Sequence, residues 1–294
     1  MVYAETRRAG IVIKRSPKAD IHCAQNLNAE GSIAMFDSHR WLLPAYAQRF
    51  RGRACEDTAH IFLHIPKTAG LTLNTALEQA YAGQRMFSIY GPKWRRSVAL
   101  FRSFPQSARD RFKLVYGHQM FGLHREFTKP ALYFSMLREP VARLVSFFRF
   151  AQTDPTINRK LEGHITPERL FLSGGLPVGG DNTMTRFLAG DATIDKVPPG
   201  RCTQTLFDVA AENLERAVVV GLVEEFDRSL NLFAAILDWP AIPAATTVNV
   251  STRGDPHAIR DEIKTRFPQL YAFDSRLFAL AKAKFEREAV ARGI

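Results

Sequence analysis

Cysteine is scarce in this chain. The three present in 294 residues, Cys23, Cys55 and Cys202, are spaced too widely for a zinc site, and their odd number does not suit a disulfide framework. Reduced thiols in a cytoplasmic protein are the expectation. Long apolar runs are lacking too. The longest, such as Ala131 to Leu137 and Ala217 to Val223, fall far short of the roughly 20 residues that span a bilayer. The amino terminus, Met-Val-Tyr-Ala-Glu-Thr-Arg-Arg, has no uninterrupted apolar core of the signal-peptide kind. A soluble protein without a transmembrane segment is therefore expected. Internal repeats, low-complexity tracts and long runs of like charge are missing as well, which argues against nucleic acid as a partner. Acidic residues are the last shortage: 29 Asp and Glu face 40 Lys and Arg, a net charge of +11. That balance favours anionic partners such as nucleotides, acidic glycans or a membrane surface, with plain solubility as the competing account.

What is present is an α/β pattern. Residues 1–57 are polar with scattered Arg and Lys and read as an extension, with Ile11 to Ile13 a short strand candidate and Trp41, Leu42, Leu43, Tyr46 and Phe50 a docking helix. Residues 58–294 form the main domain. Strands are expected at His60 to Ile65, Phe87 to Tyr90, Phe112 to Tyr116, Ala131 to Leu137 and Ala217 to Gly221, with helices between them. The alternation implies a central parallel sheet flanked by helices, a P-loop-like three-layer fold. Thr153 to Gly180 reads as a loose, substrate-facing segment, helical only over Glu168 to Ser173. Asp181 or Asn182 is expected to cap the helix that follows.

The stretch from His60 to Leu77 carries the chemistry. A buried strand feeds Pro66-Lys67-Thr68-Ala69-Gly70, and Leu73, Leu77, Ala80 and Tyr81 then fall at helical spacing. A strand–turn–helix of this kind aims main-chain N–H groups and a helix dipole at one point, where an anion is favoured, and Lys67 adds a full positive charge. The order is not that of an ATP-binding P-loop, G-x-x-x-x-G-K-[ST], because here the lysine precedes the small residues. A magnesium-dependent nucleotide phosphotransferase or kinase is thereby the weaker alternative. Other strand ends supply His118, after Tyr116-Gly117, and Arg138, after the strand Ala131 to Leu137. Ligands of parallel sheets bind at those carboxyl ends.

At this point a family likeness emerges. Ile65-Pro66-Lys67-Thr68-Ala69-Gly70 resembles the 5′-phosphosulfate loop of sulfotransferases that use 3′-phosphoadenosine 5′-phosphosulfate (PAPS). Leu137-Arg138-Glu139-Pro140 through Arg143-Leu144-Val145-Ser146 resembles the 3′-phosphate motif of that family. Tyr116-Gly117-His118 is similar to the catalytic-histidine element of the branch containing heparan 2-O-sulfotransferases and bacterial carbohydrate-type relatives. Val248 to Gly254 resembles a late loop whose basic residue, Arg253 here, also meets the 3′-phosphate. The resemblance spans about residues 60–255. It implies sulfuryl transfer from PAPS to a hydroxyl acceptor without a metal, with His118 as general base and Lys67 as leaving-group stabiliser. It also implies a donor site of Lys67, Thr68, Ala69, Gly70, Leu71, Thr72, Arg138, Ser146 and Arg253. Members commonly carry a small hydroxyl residue directly after the loop glycine, where this chain has Leu71, with Thr72 next along. Physical chemistry agrees: a polyanion calls for a helix N-terminus, a lysine and a bidentate arginine.

Several other residues read as structural. His64 is expected inside the first strand. His124 and His164 read as loop residues, Arg125 and Arg186 as solvated or salt-bridged surface, and Phe147, Phe148 and Phe150 as packing. Arg138 has the alternative of simply pairing with Glu139 or Glu126. The acceptor is left open among glycans, lipids and small metabolites. A catalytically idle nucleotide- or glycan-binding module is the second rival.

Overall fold

A computed structural model describes residues 57–91, 93–172, 180–190, 197–243 and 256–294. The extension, the late loop around Arg253 and Cys23 and Cys55 lie outside these residues.

Five parallel strands form one sheet in the order β2-β3-β1-β4-β5. They are β1 (Ala59–Leu63), β2 (Met86–Ile89), β3 (Leu114–Gly117), β4 (Ala131–Leu137) and β5 (Val218–Leu222). The central strand β1 is buried along its whole length, as are β4 and β5. Parallel strands covered on both faces need such continuous apolar runs, and that is why they were readable. β1 pairs with β3 through Phe62↔Tyr116 and with β4 through Phe62↔Phe134. The chain leaving β1 turns to one edge of the sheet and the chain leaving β4 to the other, so the crevice above β1 is the topological switch point where ligands bind.

Three connections position the site. Helix α1 (Gly70–Ala80) follows β1 directly. Helices α2 (Trp94–Ser103) and α3 (Gln106–Arg109) link β2 to β3. Helix α4 (Pro140–Thr153) follows β4, with Pro140 in its first turn, where a missing N–H costs nothing. Its cap is Glu139, whose carboxylate accepts from Val141 N at 3.0 Å and Ala142 N at 2.7 Å. A second apolar core fills the space beneath α4: Val141, Leu144, Val145 and Phe148 pack with Ile259, Ile263 and Phe267 of helix α10 (Pro256–Arg266) and the turn after it.

The segment read as loose is more ordered than expected. It holds α5 (Pro155–Lys160) and α6 (Pro167–Leu172). Asp154 caps α5, accepting from Thr156 N and Ile157 N at 2.9 Å each, and Pro155 opens it. Asp-Pro is a helix-start signal that the surrounding Pro and Gly masked.

The next helix, α7 (Thr183–Ala189), is capped by neither expected residue. Asp274, from the carboxy-terminal helix α11 (Ala272–Val290), accepts from Met184 N at 3.2 Å and Thr185 N at 2.8 Å. Asn182 in return accepts from Phe273 N and Asp274 N in the first turn of α11. The two helices exchange caps. Between α7 and α11 the chain forms α8 (Gln204–Ala217), then β5, then α9 (Phe226–Leu237). No helix among the described residues is long and apolar enough to cross a membrane.

Candidate active site

β1 ends at Leu63, so His64 lies just beyond the strand rather than inside it. The turn that follows has two left-handed residues that are not glycine, Lys67 at φ 70° and Ala69 at φ 59°. Such conformations are costly for L-residues and cluster where a loop must curl its N–H groups inward. Thr68 Oγ1 donates to Ile65 O at 2.8 Å and ties the turn shut, so its hydroxyl is spent inside the loop. Helix α1 has no acidic residue in its first turn. The positive end of its dipole is thus left for a ligand. Gly70 is required by space: a Cβ there would lie 1.8 Å from His64 Nε2. Thr72 is buried, whereas Leu71 is 59% exposed at the mouth of the turn.

Lys67 finds no carboxylate among the described residues. Its Nζ sits 4.4 Å above the centre of the Phe150 ring, which is half exposed on α4. Burial and the neighbouring Arg138 both lower its pKa. Arg138, at the end of β4, donates from Nη1 to Lys67 O at 3.3 Å, which joins the two motifs physically. Neither rival partner takes it. Glu139 caps α4 and faces Arg260 at 3.6 Å, and Glu126 pairs with Arg102 at 3.0 Å. Ser146 lies two turns along α4, partly exposed. Two cations set side by side, neither with a carboxylate at ion-pair distance among the described residues, suit a polyanionic ligand; Glu224 and Glu139 act on Arg138 only from farther off, against the effect of its burial.

His118 stands at the end of β3. Gly117 before it has φ 133°, and a Cβ there would lie 2.1 Å from Ile89 O, so only glycine lets β2 and β3 close up at this level. His118 N donates to Ile89 O at 2.7 Å, and its Nδ1 lies 3.0 Å from His64 O. The carbonyl can only accept, so Nδ1 carries the proton. Burial lowers the pKa of the ring, with the bond to His64 acting the other way. The neutral form therefore prevails near pH 7, with the lone pair on Nε2.

Residues read as structural fall into two groups. His124 is buried with Nδ1 3.1 Å from Tyr133 Oη. Arg186 is not a surface residue but 4% exposed, paired to Asp181 at 3.0 Å and donating to Val197 O and Pro198 O. It staples α7 to a neighbouring segment. Phe147 and Phe148 pack in the core, while Phe150 supports Lys67. Sequence reasoning passed over the surroundings of His64. Its ring stacks on His118 with centroids 4.5 Å apart, and its Nδ1 meets Tyr90 Oη at 3.0 Å. The available signal was the position of both His64 and Tyr90 at carboxyl ends of strands.

Comparison with curated proteins finds similarity to heparan-sulfate 6-O-sulfotransferases. The chain is 26% identical over 285 residues to a heparan-sulfate 6-O-sulfotransferase 2 of Gallus gallus, covering 78% of this chain and 67% of the relative. It is 26% identical over 283 residues to a heparan-sulfate 6-O-sulfotransferase 3-B of Danio rerio, covering 78% and 64%. It is 25% identical over 286 residues to the Homo sapiens heparan-sulfate 6-O-sulfotransferase 1, covering 79% and 66%. The chain is thus similar, at a distance, to heparan-sulfate 6-O-sulfotransferases, in keeping with the sulfotransferase resemblance of its motifs. The matches span about two thirds of each of these relatives, and no family model matches. They name 6-O-sulfotransferases, where the Tyr-Gly-His element resembled the 2-O branch.

Proposed function

We propose that this chain transfers the sulfuryl group of PAPS to a carbohydrate hydroxyl, leaving 3′,5′-ADP. The observation that carries the reading is the state of His118: Nδ1–H tied to His64 O, the ring neutral through burial, and Nε2 left as the basic nitrogen. A general base needs that lone pair at working pH. The carbohydrate acceptor is inferred from the relatives, whose names specify heparan sulfate.

The donor supplies an electrophilic sulfur joined through a bridging oxygen to a phosphate leaving group. The residues at the switch point fit that polyanion: the curled turn from Lys67 to Thr72 for the 5′ end, and Arg138 with Ser146 for the 3′-phosphate. Arg253 would join them from the loop outside the described residues. His118 Nε2 takes the proton of the acceptor hydroxyl as the new O–S bond forms. Lys67 places its charge at the bridging oxygen as the old S–O bond breaks.

The test is incubation of the full chain with PAPS and glycan acceptors, reading added sulfate by mass spectrometry and release of 3′,5′-ADP. His118→Ala is expected to lose about 10²–10⁴-fold in kcat. Wild-type turnover by that variant would overturn the base. Magnesium-dependent ATP turnover without stabilisation by 3′,5′-ADP would overturn the donor.

A further inference from the structure

His118 rests on a second histidine that the proposed chemistry does not use. His64 is 5% exposed, and its ring stacks on His118 at 4.5 Å and on Phe62 at 5.6 Å. Its Nδ1 lies 3.0 Å from Tyr90 Oη, and Tyr90 donates its hydroxyl proton to Asn74 Oδ1 at 2.7 Å. A tyrosine hydroxyl has one proton to give. With that proton spent on Asn74, Tyr90 Oη accepts from His64 Nδ1–H, and His64 Nε2 is left bare. Nε2 faces Gly70, the first residue of α1, where any Cβ would collide with it.

We propose that His64 is the positioning residue for His118, locked in one tautomer by the Asn74–Tyr90 pair. The proposal rests on the reading of His118 as base. In the locked form a lone pair, rather than an N–H, faces the positive end of the α1 dipole and nearby Lys67. The opposite tautomer would set a donor against that end and turn the ring. His118 would then lose its stacking surface, while its Nδ1–H bond to the main-chain carbonyl of His64 would remain. One side chain thus keeps the phosphate turn and the acceptor base in register. The groups facing it are Lys67 from the turn, His118 from β3, Tyr90 from β2 and Asn74 from α1.

Tyr90→Phe removes only the hydroxyl and keeps the ring contacts to His118 and Tyr116. The expected result is a fall in kcat of about tenfold, the scale of one lost hydrogen bond, with the donor KM and 3′,5′-ADP affinity nearly unchanged. Imidazole ¹⁵N spectra should show His64 passing from one neutral tautomer to a mixture. Asn74→Leu gives an independent route: Tyr90 is freed to donate to His64 Nδ1, so the tautomer inverts and kcat falls alike. Unaltered imidazole signals together with wild-type kcat in both variants would overturn the proposal. Full turnover by His118→Ala would instead show that the base assignment had failed. In that case the ¹⁵N spectra alone decide whether the tautomer lock exists.

Discussion

Arg138 and Arg143 stand five residues apart in one motif and have opposite surroundings. Arg138 ends a strand, is partly exposed and has only a main-chain contact at 3.3 Å, with no carboxylate within ion-pair distance among the described residues. Arg143 is wholly buried, donates to Gly180 O at 3.2 Å and lies 4.0 Å from Asp274. Burial lowers the Arg143 pKa and raises that of Asp274, and each offsets the penalty on the other. The contrast separates two uses of positive charge. A cation whose carboxylate is supplied by the fold holds helices together, as Arg143 does between α4 and α11 and Arg186 does for α7. Lys67 and Arg138 have no carboxylate at ion-pair distance among the described residues, which supports their proposed use on an anionic donor.

Exchanging each arginine for alanine tests that division. Arg143→Ala leaves the buried Asp274 carboxylate without its paired cation, held by Met184 N, Thr185 N and the Thr185 hydroxyl. It should cost about 3–5 kcal/mol, the usual penalty for removing one partner of a buried pair. Arg138→Ala should leave thermal unfolding almost unchanged and instead weaken 3′,5′-ADP binding by roughly 2 kcal/mol, the worth of a charge-assisted hydrogen bond. Calorimetric unfolding and titration of the nucleotide check the two halves. Equal destabilisation by both variants would erase the distinction.

His64 shows a third outcome for a basic group under burial: it stays uncharged. Burial, then His118 and Lys67, hold its pKa well below the ordinary 6.5. Above that ordinary value neither the folded nor the unfolded chain protonates it, and it contributes nothing to pH dependence. Below it, the unfolded chain takes up a proton that the fold refuses, so stability falls with falling pH. The slope is at most about 1.4 kcal/mol per pH unit for each such histidine. Urea unfolding from about pH 7 to about pH 5 should show this loss, and His64→Gln should remove one proton's share of it. An unchanged slope would mean that His64 is protonated in the fold.

Much of this was legible in the sequence because the sheet is built from continuous apolar runs. Three of the runs led to a residue with distinctive chemistry: Lys67 after β1, His118 after β3, Arg138 after β4. Local patterns could not show contacts between distant elements. Asn182 looked like a cap for α7 because it is the right residue at the right place, yet its side chain bonds α11 and Asp274 replaces it. Arg186 looked solvated because its partners, Asp181 aside, are main-chain carbonyls that carry no sequence signal. Nothing local separated His64 from a strand residue. Its role emerges only where β1, β2 and β3 bring it, Tyr90 and His118 to one sheet edge.

The smallest expected effect concerns Leu71, a residue of the proposed phosphate turn that departs from the pattern the turn resembles. Leu71 exposes 59% of its surface at the N-terminus of α1, near a lysine that has no carboxylate partner among the described residues. An apolar side chain there offers an incoming phosphate nothing, and the adjacent Thr72 is buried within the helix turn. Leu71→Thr should keep the stability within about 0.5 kcal/mol, as expected for an exposed position near a helix start. It should also tighten 3′,5′-ADP binding by about 1 kcal/mol, roughly fivefold, through one added neutral hydrogen bond. The gain should vanish in an Arg138→Ala background only if the nucleotide then shifts in the crevice; independent contacts would add. If Leu71→Thr binds the nucleotide no better than the parent chain, the side chain at this position points away from the phosphates. The turn would then hold its anion through main-chain N–H groups and Lys67 alone.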